Sequence, residues 1–109
     1  MSTERDRVRG HLAMLLLAVL AKGPAHGYAL SAELRLRSDG QLVVLEGSLY
    51  PALQRLEAMN LVSSAWASGE ARRRRVYQLT ADGKTALKQE IAEWRQVRDA
   101  LDTILKEFT

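Results

Sequence analysis

Cysteine is absent from this 109-residue chain, and histidine and proline appear twice each. Each shortage closes off a class of function. Without thiols there is neither a disulfide framework nor thiolate ligation, and His11 and His26, far apart in sequence, cannot build an all-protein zinc site, so no metal and no cofactor is expected. The histidines read better as structural residues at helix starts than as pH sensors. No phosphate-cradling glycine motif and no carboxylate or histidine cluster at catalytic spacing is present, which argues against an enzyme. The one long apolar run, Leu12 to Ala21, falls well short of the roughly 20 residues that cross a bilayer. No small-residue cleavage site follows it before Lys22-Gly23-Pro24. A soluble, cytoplasmic protein with no membrane partner is expected.

What is present is a 47% hydrophobic composition, enough for one compact core and not for two. The net charge of +3 is unevenly spread: residues 1–80 hold eleven Lys/Arg against seven Asp/Glu, and residues 81–109 hold five against six. A basic region followed by a near-neutral amphipathic helix fits a nucleic-acid binder with a separate assembly element.

Leu12 to Ala21, rich in Leu, Ala and Met, predicts a helix stopped by Gly23-Pro24. It is apolar on every side, so it needs cover all round, which hints at a partner chain. His26-Gly27 opens a second helix, Tyr28 to about Arg37, ended by Ser38-Asp39-Gly40. Gln41 to Leu45 reads as a brief strand or extended connector. A third helix starts within Glu46 to Ser48 and runs to Met59, with Leu49, Leu53 and Leu56 inward, Pro51 in the first turn and Asn60 as a left-handed cap. Leu61 to Ala67 and Arg73 to Thr80 predict a hairpin joined by Ser68-Gly69-Glu70-Ala71, with Trp66 in the core. Thr80 then caps a long helix to about Phe108. Along it Leu87, Trp94, Leu101 and Phe108 recur at sevens, with Val97 and Ile104 as a second seam and Ile91 and Leu105 beside them. This stripe predicts a dimerisation surface, since so long a helix exceeds what one small domain covers. The fold class is mostly α (α+β): a winged helix-turn-helix over residues 1–80 and a C-terminal dimerisation helix over residues 81–109, forming one structural domain.

The quoted residues resemble the PadR family of transcriptional regulators: Gly10-His11-Leu12 with Met14 to Leu17, Gly23 to Tyr28, Gly47-Ser48-Leu49-Tyr50-Pro51-Ala52-Leu53 with Arg55-Leu56-Glu57, and the arginine run leading into Tyr77-Gln78-Leu79-Thr80. The similarity spans nearly the whole chain and is closest to the branch with a single C-terminal helix. Asn60, Ala71 and Val76 stand where the family commonly has glycine, glycine and an aromatic. The resemblance implies a homodimer on a pseudo-palindromic operator in double-stranded DNA, with the first helix, through Leu12 and Leu16, sharing the interface. It also implies a repressor released by a small hydrophobic or aromatic effector near Trp94; the other reading of Trp94 is plain interface packing.

Only the major groove admits a helix and shows a distinct pattern for each base pair. The third helix would enter it, offering Ser48, Tyr50, Pro51, Gln54 and Arg55. Tyr50 could instead prop up the helix, Pro51 could only shape it, and Arg55 could pair with a carboxylate of its own surface. Arg72, Arg73, Arg74 and Arg75 predict a wing laid along the DNA backbone or in a narrow minor groove, with alternation sending Arg72 and Arg74 to one face and Arg73 and Arg75 to the other. The competing reading is a winged-helix protein-interaction module whose basic wing meets an acidic partner.

Overall fold

The computed structural model describes residues 11–67 and 74–109. The expected turn Ser68 to Ala71, together with Arg72 and Arg73, lies outside the described residues. Helix α1 (Leu12–Leu20) is followed by a two-residue strand β1 (Ala25–His26), helices α2 (Gly27–Arg37) and α3 (Glu46–Ala58), strands β2 (Val62–Trp66) and β3 (Arg75–Leu79), and helix α4 (Ala81–Leu105), which tightens into a 3₁₀ turn at Lys106–Phe108. The strands form one antiparallel sheet in the order β1-β3-β2. This is a winged helix-turn-helix with a long C-terminal helix.

The short strand lies between α1 and α2, not at Gln41 to Leu45, which is an extended connector without strand pairing. Ala25 and His26 pair with Tyr77 and Val76, fifty residues later, so nothing in their own sequence marks them as a strand. The core joins Leu16, Leu17 and Leu20 of α1, Leu30 and Leu34 of α2, Leu49, Leu53 and Leu56 of α3, Val62 and Tyr77. Leu12 and Leu16, expected at a subunit interface, are 4% and 0% exposed within the single chain. Little of either side chain reaches the surface, because α2, α3, the sheet and the start of α4 cover most of α1. Trp66, expected in the core, is 52% exposed: it ends β2 and stands opposite Arg75 at the end of the strand pair.

The chain changes direction where the local chemistry permits it. Asp39 (φ 54°) and Gly40 (φ 80°) stop α2, and the Gly40 N–H returns to the Arg35 carbonyl at 2.7 Å. Asn60 (φ 61°) stops α3, with the Leu61 N–H on the Leu56 carbonyl at 2.9 Å. Helix α3 begins at Glu46, so Pro51 sits beyond the first turn. Its missing N–H removes the bond to the Gly47 carbonyl one turn back, and Gly47 lies exposed where water can reach it. The Thr80 hydroxyl accepts from the Gly83 N–H at 2.9 Å and donates to the Asn60 carbonyl at 2.7 Å, which ties the start of α4 to the end of α3.

Only the first turns of α4 touch the core, through Gly83, Ala86 and Leu87. Further along, Trp94, Val97, Leu101, Ile104, Leu105 and Phe108 are all exposed, and Ile91 is half-buried. The chain reaches 58 Å along its longest axis and only 28 and 21 Å across. Among the described residues no helix is long and apolar enough to cross a membrane.

Candidate nucleic-acid interface

Helix α3 is split cleanly along its length. Leu49, Ala52, Leu53 and Leu56 are buried, while Tyr50, Pro51, Gln54 and Arg55 are exposed and Ser48 is half-buried. The spacing of three and four places Tyr50, Pro51 and Gln54 in one outward stripe, with Arg55 beside it. Among the described residues Arg55 has no carboxylate partner.

Tyr50 is braced and displayed at once. Its ring lies over Gly27 at the start of α2, so closely that a Cβ there would stand 2.6 Å from the Tyr50 hydroxyl and 2.8 Å from the ring. Tyr50 nonetheless stays 39% exposed. Gly27 is the residue that lets the two helices approach on this side.

Arg74 and Arg75 diverge, as strand alternation requires. Arg75 turns toward α3: its Nε donates to the Ser64 hydroxyl at 2.7 Å and its guanidinium stands 3.7 Å from Glu57. Ser64 in turn donates to the Glu57 carboxylate, and the Arg75 guanidinium lies 5.2 Å from the centre of the Trp66 ring. The network ties β2 and β3 to the last turn of α3, so that strand pair and helix hold one relative orientation. Each contact is partly solvated and weak on its own. Burial pushes the neighbouring Tyr77 phenol above its ordinary range, against the lowering effect of Arg75. Arg74 is exposed and turns the other way, toward His26.

His26, Tyr50, Arg74 and Arg75 border one cleft of about 550 Å³ between α2, α3 and the sheet. Tyr50 and Arg74, the expected readers on helix and wing, thus share one side of the molecule. Trp94 lies elsewhere, on α4. The Arg98 guanidinium sits 5.3 Å from its ring centre and pairs with Asp99 at 3.1 Å. A groove of about 290 Å³ runs beside Trp94, between Glu90, Glu93 and Val97 of α4 and Ala13 and Met14 of α1. Among the described residues there is no cluster of His, Asp or Glu able to hold a metal.

Three residues beside this interface have no local signal of their place in it. His26 reads locally as a helix-start residue, and it caps α2; its approach to Arg74 depends on the pairing of β1 with β3. Glu57 and Ser64 carried no local signal, since their meeting with Arg75 is set by the sheet register.

A profile of the PadR-like transcriptional regulator family matches residues 16–89. A transcriptional regulator of Mycobacterium tuberculosis is 34% identical over 103 residues, covering 94% of this chain and 87% of that protein. Among solved structures, a transcriptional regulator from Clostridium thermocellum superposes with a TM-score of 0.85 at 31% identity, covering 90% of this chain and 96% of that one. A PadR family transcriptional regulator from Eggerthella lenta gives a TM-score of 0.81 at 34% identity, covering 92% and 86%.

Proposed function

The chain belongs to the PadR-like family of transcriptional regulators, and from that premise we propose that it represses transcription as a homodimer bound to a pseudo-palindromic operator, and that a small aromatic effector releases it. The observation that carries the reading is the exposed stripe of α3, Tyr50, Pro51 and Gln54, whose Tyr50 borders the same cleft as Arg74 of the wing. A helix in the major groove with a cation beside it divides the labour. Ser48, Tyr50, Pro51, Gln54 and Arg55 contact base edges and nearby phosphates, and the wing arginines supply affinity that is independent of sequence. Of the described wing arginines, Arg74 is the one free of a carboxylate; Arg75 serves first to orient the sheet on α3.

Two copies joined along α4 present two recognition helices, and half-sites one turn apart would lie roughly 34 Å from centre to centre. Effector control belongs to Trp94, whose ring already takes a planar cation, its own Arg98, on one face. A flat aromatic guest displacing that guanidinium would release DNA only by binding two dimer geometries unequally.

Gln54 tests the base-reading half of this account. Gln54→Ala, assayed by fluorescence anisotropy on operators altered one base pair at a time, is expected to lose about 1–3 kcal/mol of discrimination at one base pair in each half-site and to leave the other positions unchanged. A uniform loss at every position would assign Gln54 to the backbone.

A further inference from the structure

His26 and Arg74 meet in an arrangement that the pair cannot satisfy by itself. The His26 Nδ1 faces the Ala29 N–H at 3.4 Å, and its Nε2 faces Arg74 Nη1 at 3.2 Å. Both neighbours are donors only. A neutral imidazole has one acceptor nitrogen and a protonated one has none, so at most one of the two contacts is a hydrogen bond. If Nδ1 caps α2, then Nε2 carries the hydrogen and meets Arg74 donor to donor. An anionic oxygen seated between Nε2–H and Nη1–H accepts from both and leaves the cap intact.

Two further observations favour such an oxygen. Arg74 is exposed and has no carboxylate partner among the described residues, whereas its neighbour Arg75 has Glu57. The pair also borders the cleft that Tyr50 enters from α3, so an oxyanion held there would lie alongside whatever α3 contacts.

We propose that His26 and Arg74 form a receptor for one phosphodiester oxygen of the DNA backbone, with His26 neutral and protonated on Nε2. The proposal rests on the DNA-binding reading above. It makes His26 both the cap that starts α2 and a fixed phosphate contact, so the register of the domain on the duplex is set by a side chain whose position the fold already determines.

The test uses the full-length protein on a duplex it binds selectively. His26→Asn keeps a side-chain acceptor able to cap α2 but has no counterpart of Nε2, and Arg74→Gln removes the charge while keeping a donor. Each is expected to raise Kd about a hundredfold for the dimer, about tenfold for the hydrogen bond to a charged group lost in each half-site. Arg74→Gln, which removes one charge in each half-site, should also flatten the slope of log K against log salt by about 1.8, whereas His26→Asn, which removes no charge, should leave the slope alone. The double variant should bind about as well as the weaker single variant, because both act on one phosphate. A methylphosphonate scan of the duplex supplies the decisive readout: one position per half-site should weaken the wild type about tenfold and leave both variants almost unaffected.

The proposal is overturned if the two losses multiply and every methylphosphonate position weakens wild type and variants alike, or if neither variant weakens binding. Inorganic phosphate, followed through the His26 imidazole resonances, separates the two sources of oxyanion. Perturbation by phosphate combined with a silent methylphosphonate scan would make the site one for the free ion and overturn its assignment to DNA. Failure of the wild-type protein to bind any duplex selectively would be evident before any variant is made, and would remove the underlying reading as well.

Discussion

Leu101→Asp is expected to turn the protein from a dimer into a monomer and to weaken operator binding by at least about a hundredfold, the lower end of what joining two binding modules contributes. Leu101 sits at the centre of a seam in which Leu87, Trp94, Leu101 and Phe108 recur every seven residues, flanked by Val97 and Ile104. Within one chain it is 51% exposed and touches nothing in the core. A carboxylate there therefore costs the single chain little. Facing a second copy, it would have to leave water without a partner, which is expensive. Analytical ultracentrifugation and circular dichroism together decide the matter. A folded monomer that retains only weak, salt-sensitive DNA binding is expected; an unaltered dimer would place the interface elsewhere on the molecule.

Replacing Gly83 by alanine is expected to destabilise the fold by about 3 kcal/mol, the upper part of the range for forced overpacking. Gly83 lies in the first turn of α4, directly against the Leu61 carbonyl, and a methyl group would collide with that oxygen and with the Leu79 side chain. The backbone cannot easily yield there. The Leu61 carbonyl accepts from the Thr80 N–H at 3.1 Å, and the Thr80 hydroxyl holds both Gly83 and Asn60. Thermal denaturation followed by circular dichroism should show a midpoint lower by roughly 10–20 °C. Gly47→Ala is the control: it lies in α3 with open space around it, so the better helix propensity of alanine should leave the midpoint unchanged or slightly raised. Equal midpoints for the two variants would mean that α4 does not need its close approach to Leu61.

Elements carried by short-range chemistry could be read before the fold was known. The spacing of Leu49, Leu53 and Leu56 gave the inner face of α3 and so the outer one, and Asn60 and Thr80 marked the end of one helix and the start of another because a left-handed cap and a hydroxyl cap are local devices. Positions decided by distant pairing were another matter. Strand β1 exists because Tyr77 and Val76 pair with two residues that have no strand signal of their own. A helix apolar on all sides does not reveal how much of it one chain can bury, and here the chain's own core encloses Leu12 and Leu16. The place of Trp66 on the hairpin points to the core, but the sheet register sets it opposite Arg75, half exposed.

The same distinction runs through the candidate site. The stripe of Tyr50, Pro51 and Gln54 followed from helical periodicity, whereas the separate destinations of Arg74 and Arg75 depend on what lies beside the sheet. Alternation separates the two side chains but cannot say that one meets Glu57 and Ser64 while the other meets His26.

Fluorescence anisotropy of the wild-type protein on a labelled duplex from just upstream of its own gene, with a scrambled duplex as competitor, tests the central claim most directly. Across about 50 to 200 mM salt, binding with two chains per duplex, clear preference over the scrambled sequence and a steep loss of affinity as salt rises is the predicted result. Equal affinity for both duplexes at every salt concentration would contradict the account and turn attention to an acidic protein as the partner of the wing.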